Sequence, residues 1–277
     1  MTPDVSIIIL NYKSRGLTRE CIKSFKRLRS RATFEIIVVD NSAEKEVEQT
    51  LTERFPEVRY IKLMRNVGFA AGNNVGMRAA HGRYLCIANQ DLTALEGSLD
   101  TLVEFMDANP EVAVSGPRLL YADGTAQQSC FRFYEPLTPL YRRTVLGSLP
   151  MGKRHIERFL MKDTDISRVS DVDFLMGACL CVRRSAIEEV GLFDEQFFFY
   201  FEDTDWCKRF WAAGWRVCYV PESEMIHLHS RDSAQRMGLA SLFDRATQLH
   251  IFSGIKYFLK HRQSGWKRPD TAHAYAT

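Results

Sequence analysis

The chain has 277 residues, which is enough for one large α/β domain with a substantial buried core. Hydrophobic residues make up 45% and charged residues 26% of the sequence, proportions typical of a globular protein. The formal net charge of +3 is too small to indicate a nucleic-acid partner. No segment approaches the ~20 consecutive apolar residues that cross a bilayer. The seven scattered cysteines show no disulfide framework, which indicates a reducing, cytoplasmic compartment.

Strand and helix patterns alternate through the first half of the chain. The β-branched run at 5–10 follows Asp4 without a basic leader, which predicts a first strand and not a signal peptide. Further strands are predicted at 34–39, 58–63 and 84–88, and helices at 17–28, 44–55 and 69–80. Thr93 and Glu96 form a capping-box pattern ahead of one more helix. This alternation predicts an α/β fold with a Rossmann-like, mostly parallel sheet that helices cover on both faces.

The second half of the chain is less regular. Residues 131–168 mix aromatic, proline and basic residues without a period, which predicts an irregular insertion. Strand patterning returns at 172–182, and a helix is predicted from about Glu202 to a C-cap at Gly214.

The last helical pattern covers residues 234–262 and is amphipathic. Basic and aromatic residues accompany its apolar stripe, which fits either a helix lying on an anionic membrane surface or a terminal helix packed on the domain. The stripe consists of Leu249, Phe252, Ile255 and Leu259, and the basic residues are Lys256, Lys260, His261, Arg262, Lys267 and Arg268.

Polar side chains follow each of the first four predicted strands. Ligands bind beyond the carboxyl ends of the strands in an open parallel sheet, so these side chains are candidates for one binding site. Asp, Asn and Ser also favour turns, which is the alternative explanation for any one of them. The candidates are Asn11 and Tyr12 after the first strand, Asp40, Asn41 and Ser42 after the second, Asn66 after the third, and Asn89, Gln90 and Asp91 after the fourth.

Two of these carboxylates have a specific possible chemistry. Asp40 can accept a hydrogen bond from the N–H that a uracil or thymine ring presents between two carbonyl groups. Asp91 can hold Mg²⁺ or Mn²⁺, because these cations prefer oxygen ligands and take several of them from a diphosphate. A helix-capping role is the alternative for Asp91, although Thr93 already fits the N-cap.

The segment NVGFAAGNNVG, residues 66–76, carries Gly68, Gly72 and Gly76 at intervals of four. This spacing places the glycines on one face of a helix. Their missing side chains permit either close approach of a ligand or close packing of the helix on the sheet. Asn74 lies in the same segment and is a further candidate ligand-binding residue.

The strongest local signal is the acidic and aromatic block FFFYFEDTDWCKRFWAAGW at residues 197–215. Glu202, Asp203 and Asp205 crowd the first turn of a predicted helix, where the helix dipole favours ionised carboxylates, so capping is one explanation. The preceding aromatic residues offer platforms for sugar rings. A carboxylate beside such a pocket can take a proton from an attacking hydroxyl, which makes Glu202 and Asp203 the candidate catalytic residues.

The segment MIHLHSRDS forms a second candidate corner, because His227 and His229 share one face of an extended chain. One imidazole there can complete a metal site. Arg231 and Ser233 beside it fit phosphate binding. A structural histidine is the commoner alternative for either residue alone.

These motifs together resemble glycosyltransferase family 2, and in particular its bacterial rhamnosyltransferase-like branch. The resemblance runs from about residue 5 to residue 233 and rests on VSIIILNY, IIVVDNS, NVGFAAGNNVG and the block 173–214. It implies one GT-A domain at 1–233, with a nucleotide-binding half at about 1–118, an acceptor-binding half at about 119–233, and a helical extension at 234–277.

The resemblance also implies an inverting transfer of a sugar from a nucleoside diphosphate, most closely dTDP-rhamnose. In this reaction Asp40 contacts the nucleobase, while Asp91 coordinates the Mg²⁺ or Mn²⁺ that bridges the diphosphate. Asp203 is the general base, and His227 contacts the metal or the diphosphate. The implied acceptor is a glycan or a polyprenyl-diphosphate-linked saccharide of cell-surface polysaccharide synthesis, which would bring the protein to the inner face of the plasma membrane.

Two departures from the family pattern concern charge at the diphosphate. Asn89-Gln90-Asp91 stands where the family usually has Asp-any-Asp or Asn-Pro-Asp. The segment that contains His227 and His229 is often glycine-rich in this branch, but here it carries Arg231, which can supply positive charge to the diphosphate. The alternatives are a UDP-sugar-dependent glycosyltransferase and a non-catalytic nucleotide- or glycan-binding relative. A sugar-1-phosphate nucleotidyltransferase is disfavoured, because NYKSRG follows the first strand where a glycine-rich loop is expected.

Overall fold

A computed structural model of the chain describes residues 2–42, 51, 53–228 and 245–262. The strands in these residues are β1 (Val5–Asn11), β2 (Phe34–Asp40), β3 (Arg59–Lys62), β4 (Tyr84–Asn89), β5 (Leu92–Ala94), β6 (Val112–Leu120), β7 (Ala126–Gln127), β8 (Cys130–Phe131), β9 (Ser170–Asp171), β10 (Phe174–Leu175), β11 (Cys179–Arg183) and β12 (Arg216–His227). The helices are α1 (Arg15–Arg27), α2 (Phe69–Ala79), α3 (Ser98–Ala108), α4 (Thr138–Arg143), α5 (Pro150–Phe159), α6 (Arg184–Val190), α7 (Glu202–Ala212) and α8 (Arg245–His261), with a 3₁₀ turn at Val145–Ser148.

The main sheet has the strand order β3-β2-β1-β4-β11-β6-β12-β5. Strands β3, β2, β1, β4, β6 and β12 run in the same direction, and β11 and β5 run against them. The predicted mostly parallel α/β sheet is therefore confirmed. Because β1, β2 and β4 are parallel and in register, Asn11 pairs with Asp40 and Leu10 with Asn89, so the polar ends of these strands align.

Strand β1 is buried along its whole length and serves two cores, because successive side chains point to opposite faces. Ile7 and Ile9 belong to a core that α1 and α3 complete. Ile8 and Leu10 belong to a second core, to which α7 contributes Trp206 and Phe210 and α2 contributes Ala70 and Met77. Both faces of the sheet are thus covered, as the continuous apolar run of β1 predicts.

The glycine stripe of α2 lies against β1. A Cβ atom on Gly72 would come within 2.6 Å of Leu10 Cδ1, and one on Gly76 within 2.5 Å of Ile8 Cγ2. The spacing of these two glycines therefore serves close packing of the helix on the sheet, which is one of the two explanations that the sequence leaves open.

Two sequence predictions need correction, and two fall partly outside the described residues. The capping box is wrong, because Thr93 pairs with Ile226 in the sheet and α3 begins at Ser98. The insertion predicted to be irregular contains α4, the 3₁₀ turn and α5, and a proline lies in the first turn of each helix. Residues 44–50 and 52 of the predicted helix 44–55, and residues 234–244 of the terminal helix, lie outside the described residues.

No helix in the described part of the chain is long and apolar enough to cross a membrane.

Candidate active site

Asp40 is fully buried at the end of β2, and its carboxylate accepts four hydrogen bonds. Asn11 Nδ2 donates to Oδ1 at 2.8 Å, and Ser42 donates to the same oxygen through its N–H at 3.0 Å and its hydroxyl at 2.5 Å. The Tyr60 hydroxyl donates to Oδ2 at 2.6 Å. The carboxylate is therefore held in one orientation at the carboxyl edge of the sheet, where the sequence predicts a nucleobase contact.

Tyr12 extends beyond β1 with a side chain that is 43% exposed. Its N–H donates to Gln90 Oε1 at 2.8 Å, and its carbonyl accepts from Gln90 Nε2 at 3.3 Å. These bonds connect the end of β1 to the loop after β4. The exposed ring at this edge is available to stack against a planar ligand.

Asn41 and Asn66 shape the loop that leads into α2. Asn41 Nδ2 donates to Asn66 Oδ1 at 2.9 Å and to the Gly68 carbonyl at 3.1 Å, and Asn41 Oδ1 accepts from Val67 N at 2.8 Å. Asn66 Oδ1 also accepts from Gly68 N at 2.9 Å. These two residues therefore hold the loop before α2 against the end of β2, and a contact of either with the donor stays a prediction.

Asn74 and Gly68 have contacts other than the ligand contacts predicted for them. Asn74 is buried, and its side-chain amide donates to the Phe193 carbonyl and to Glu195 Oε1, both at 2.9 Å. Gly68 has a φ of +93°, and a Cβ atom there would come within 2.4 Å of the Phe198 carbonyl oxygen. Both residues fasten α2 to the 193–198 segment, and donor binding by either residue stays a prediction.

Asp91 and His227 meet at the ends of β4 and β12. Asp91 Oδ1 lies 3.4 Å from His227 Nε2, and Asn89 Nδ2 lies 3.4 Å from the same nitrogen. The Asp91 carbonyl accepts from Leu228 N at 3.0 Å, which fixes the loop after β4 against the end of β12. The structure therefore brings together three of the residues predicted to bind the diphosphate and its metal. His229, Arg231 and Ser233 lie outside the described residues.

Gln127 determines which nitrogen of His227 faces the corner. Gln127 Oε1 lies 2.8 Å from His227 Nδ1, and because an amide oxygen only accepts hydrogen bonds, this contact favours an N–H at Nδ1 and leaves Nε2 facing Asp91. Within the described residues, no three carboxylate, thiol or imidazole groups gather as a complete metal cage. Mg²⁺ on a nucleotide usually takes only one or two protein ligands beside the phosphates and water, so the Asp91–His227 pair fits such an ion.

The acidic block begins in an unusual backbone conformation. Tyr200 and Phe201 have φ values of 71° and 69°, which L-residues rarely adopt, and α7 begins directly after them. Glu202 is buried in the first turn of α7, and its Oε2 has no hydrogen-bond partner in the described part of the chain. Burial and the neighbouring Asp203 carboxylate raise the pKa of Glu202 well above its ordinary value.

Asp203 differs from Glu202 in its hydrogen bonds. Asp203 Oδ2 accepts from Gly177 N at 2.9 Å, and Oδ1 accepts from Thr204 N at 2.7 Å and from the Thr204 hydroxyl at 3.2 Å. Burial raises the pKa of Asp203, while these hydrogen bonds favour its charged form and oppose the shift. Asp203 is therefore the member of the pair suited to be the ionised base, and Glu202 the member suited to stay protonated.

The third carboxylate of the block, Asp205, has a structural role. It is fully buried and accepts from Arg209 at 2.9 Å, from Lys260 at 2.7 Å and from His261 at 2.8 Å. Burial alone would raise the pKa of Asp205, but the His261 hydrogen bond and the charges of Arg209 and Lys260 lower it below the ordinary value. Asp205 thus anchors the C-terminal helix α8 to α7.

One short turn connects Asp203 to the end of β4. Gly177 N donates to Asp203, and the carbonyl of the next residue, Ala178, accepts from Asn89 N at 2.9 Å. Phe69, at the start of α2, also reaches this turn, since its Cε1 lies 3.6 Å from the position of a Cβ on Gly177. The turn at Gly177 and Ala178 therefore contacts both the Asp203 carboxylate and the end of β4, from which the Asp91 loop leads.

Sequence reasoning missed Gln127 and Gly177 as site residues. Gln127 lies in a two-residue strand and belongs to no motif, so nothing in the sequence distinguishes it from Gln128. Gly177 is the first residue of the block GACLCVRRSAIEEVGLFDEQFFFYFEDTDWCKR, and a glycine at the start of that motif was the available signal.

Comparison with solved structures identifies the fold. The fold matches GalNAc-T7 with UDP, GalNAc and Mn²⁺ at a TM-score of 0.62 and 14% identity, over 82% of this chain and 43% of that one. It matches the mannosyltransferase PcManGT from Pyrobaculum calidifontis in complex with GDP-Man and Mn²⁺ at a TM-score of 0.56 and 14% identity, over 96% of this chain and 77% of that one. The fold is therefore the GT-A fold of glycosyltransferases.

The family follows from the sequence profile. The profile described as Glycosyl transferase family 2 matches residues 6–191, and the chain belongs to this family. The chain is 29% identical to the N-acetylglucosaminyl-diphospho-decaprenol L-rhamnosyltransferase of Mycobacterium tuberculosis, over 97% of this chain and 88% of that protein. It is 25% identical to the rhamnosyltransferase WbbL of Escherichia coli (strain K12), over 83% of each chain.

Proposed function

We propose that this family 2 glycosyltransferase moves a sugar from a nucleoside diphosphate to an acceptor hydroxyl with inversion at the anomeric carbon. The observation that supports the proposal is the turn at Gly177 and Ala178, which joins the Asp203 carboxylate to the Asn89–Asp91 loop. Gly177 N donates to Asp203 Oδ2, and the Ala178 carbonyl accepts from Asn89 N, both at 2.9 Å. A base and a diphosphate corner at a fixed separation are what a single displacement needs.

Asp203 acts as the general base in the proposed reaction. Its carboxylate takes the proton of the acceptor hydroxyl as that oxygen bonds to the anomeric carbon. The bond between the anomeric carbon and the diphosphate oxygen breaks in the same step, so the nucleoside diphosphate leaves from the opposite face and the configuration inverts. Glu202 is buried beside Asp203, and the raised pKa of Glu202 disfavours a second negative charge next to the base.

The diphosphate lies at the Asp91–His227 corner in this proposal. Asp91 and His227 Nε2 would hold Mg²⁺ or Mn²⁺ there, and the bound ion would offset the charge that develops on the leaving diphosphate. Gln127 holds the His227 ring in the tautomer that presents Nε2. Asn89 borders the same corner through its amide, 3.4 Å from Nε2.

The proposed donor is dTDP-rhamnose. Two relatives that cover most of the chain are named rhamnosyltransferases. Asp40 would accept from the ring N–H of the base, while Asn11 and Ser42 hold the carboxylate and Tyr12 offers its exposed ring. Because thymine and uracil present the same N–H, Asp40 does not separate dTDP from UDP, and a UDP-sugar donor is the second candidate.

The proposed acceptor is a saccharide linked to a polyprenyl diphosphate in cell-surface polysaccharide synthesis. The Mycobacterium tuberculosis relative is named for such a lipid, N-acetylglucosaminyl-diphospho-decaprenol. An acceptor of this kind is confined to a membrane, so we place the protein in the cytoplasm at the inner face of the plasma membrane.

Calorimetric titration with dTDP and with UDP, each with and without Mn²⁺, tests the proposal. We expect dTDP to bind more tightly than UDP and Mn²⁺ to strengthen the binding, and we expect Asp91→Ala to remove the Mn²⁺ effect. Preference for UDP would favour the second donor. Failure of both nucleotides to bind would refute the proposed transfer.

A further inference from the structure

Large apolar side chains are exposed on two elements, the segment 137–151 and the C-terminal helix α8. The described part of the chain contains fifteen exposed large apolar residues, and ten of them lie either in residues 137–151 or in α8. Scattered exposed apolar residues are normal on a monomer, but such concentration marks an interaction surface. We call the first group the insert face; it consists of Leu137, Leu140, Val145, Leu146, Leu149 and Met151.

The insert that carries this face, residues 137–159, is an ordered unit with its own interior. Tyr141 and Phe159 are buried beneath it, and the Thr138 hydroxyl lies 2.8 Å from His155 Nε2, joining α4 to α5. Val145 and Met151 are nevertheless 83% and 73% exposed. The apolar face is therefore presented by a packed structure.

Helix α8 also turns an apolar stripe away from the domain. It packs inward through small and polar residues and one aromatic residue: Thr247, Ser253, Gly254 and Tyr257. Its outward stripe consists of Ile251, Phe252, Ile255 and Leu259, which are 38–62% exposed. Of the two explanations open from sequence, packing of this helix on the domain is thus confirmed, and the packing leaves the apolar stripe uncovered by the described residues.

Tyr134 connects the two apolar elements to the active site. Its hydroxyl accepts from Arg142 of α4 at 2.8 Å, and its ring centroid lies 6.4 Å from that of His250 in α8. The same ring lies 4.7 Å from Phe201, the residue before Glu202. The helices α4 and α8, which carry the two apolar groups, therefore both contact Tyr134, and Tyr134 contacts the residue that precedes Glu202.

The charge of the insert identifies the kind of partner. Residues 137–159 contain five basic residues and one acidic residue: Arg142, Arg143, Lys153, Arg154 and Arg158 against Glu157. Apolar residues bordered by basic ones match the interface of an anionic bilayer, where apolar groups enter the acyl boundary and cations meet the headgroups. Neither α5, with 10 residues, nor α8, with 17, is long enough to cross a bilayer, so both would lie on its surface.

We propose that the insert face, together with the outward stripe of α8, docks the protein on an anionic lipid bilayer. The inference rests on the proposed function, because a lipid-linked acceptor would then reach Asp203 from the bilayer beside Phe201 and Tyr134.

Vesicle flotation of the full chain tests the inference. The vesicles contain phosphatidylcholine with or without about 30 mol % phosphatidylglycerol, an anionic lipid. We expect flotation with the anionic vesicles only, and about a tenfold weaker partition for Val145→Glu combined with Met151→Glu. Met64→Glu is the matched control, because Met64 is 88% exposed but follows β3 in the nucleotide half, and it should float like the unchanged chain.

The inference would be overturned if the unchanged chain did not float, or if the folded double variant floated equally well. It would also be overturned if the unchanged chain bound no vesicles but formed a dimer that the double substitution dissociates. The last would assign the face to a second copy of the chain. Val145→Trp gives an independent measurement, because it reports binding without removing an apolar side chain. The fluorescence of the introduced tryptophan should shift to the blue with anionic vesicles. The calorimetric titration with nucleotides needs no membrane. A protein that binds nucleotide but does not float would therefore refute the docking alone, and the two failures are distinguishable.

Discussion

The carboxylate of Asp203 accepts a hydrogen bond from the backbone N–H of Gly177 at 2.9 Å, across 26 residues of sequence. The next residue, Ala178, accepts from Asn89 N through its carbonyl, so one turn contacts both Asp203 and the end of β4. The proposed base and the proposed diphosphate site are therefore both connected to the same backbone turn.

Removing the Gln127 side chain should weaken the metal corner. In Gln127→Leu the His227 Nδ1–H loses its acceptor, so the ring can turn or change tautomer and Nε2 no longer points consistently toward Asp91. We expect the affinity for Mn²⁺ in the presence of dTDP to fall by about 10- to 100-fold. Gln128→Leu is the matched control, because Gln128 donates to the Cys130 carbonyl and has no contact with His227 among the hydrogen bonds described. Equal losses in the two variants, measured by calorimetry, would contradict the role of Gln127.

The rate should depend on pH through Asp203. Burial raises the pKa of this carboxyl, and only its ionised form can take the acceptor proton, so kcat/KM should fall as the pH drops through the raised pKa. The acidic limb should lie above about 3.9, the value of an unperturbed aspartate. The measurement is kcat/KM from about pH 4 to about pH 9, with the stability of the fold followed at each pH by circular dichroism. A limb at or below the ordinary value would show that the base is a different, less buried group.

Replacing Glu202 with glutamine should stabilise the protein at neutral pH but not at low pH. The pKa of Glu202 is raised in the folded state. The contribution of the protonated carboxyl to stability is therefore fully present below the pKa of the unfolded state, about 4.3, and is lost as the pH rises through the pKa of the folded state. The glutamine amide cannot ionise and avoids this loss. We expect Glu202→Gln to raise Tm by several degrees at neutral pH, since about 1 kcal/mol corresponds to about 2–4 °C in a protein of this size. A gain of the same size at about pH 4 would rule out ionisation of Glu202 as the cause.

Alanine at position 76 should destabilise the packing of α2 on β1. A Cβ atom there would come within 2.5 Å of Ile8 Cγ2 in the middle of a buried strand, so the helix or the strand must shift. We expect Gly76→Ala to cost about 1–3 kcal/mol of unfolding free energy in urea. Gly16→Ala is the control, because Gly16 also lies in a helix but has no atom within 4 Å of an added Cβ. Its expected effect is neutral or stabilising.

The strand-end site could be predicted from the sequence because parallel strands align their carboxyl ends. Once β1, β2 and β4 are recognised, the register brings Asn11 to Asp40 and Leu10 to Asn89, whatever the rest of the chain does. The different contacts of the carboxylates in the acidic block could not be predicted in this way. Asp203 and Asp205 are only two positions apart in sequence. Asp203 contacts the turn at Gly177, whereas Asp205 contacts α8, and these contacts depend on how distant segments are placed.

Contacts between distant segments account for the remaining differences. Asn74 looks like a ligand residue in sequence, but its amide is occupied by the 193–195 segment, more than one hundred residues away. Thr93 and Glu96 fit a capping box in sequence. In the structure Leu92 and Ala94 are buried in an edge strand that pairs with β12, and this packing outweighs the local capping signal. A local sequence pattern does not indicate which distant segment will pack against it.

The most direct test of the proposed mechanism replaces Asp203 with asparagine. Asp203→Asn keeps the shape of the side chain and a carbonyl oxygen for Gly177 N, but removes the proton acceptor. In single-turnover transfer from dTDP-rhamnose to N-acetylglucosaminyl-diphospho-polyprenol, we expect the rate to fall by about 10²- to 10⁴-fold. The affinity for dTDP with Mn²⁺ should change by less than about twofold, because the base does not hold the nucleotide. A variant that transfers rhamnose within about threefold of the unchanged chain would contradict the assignment of Asp203 as the base.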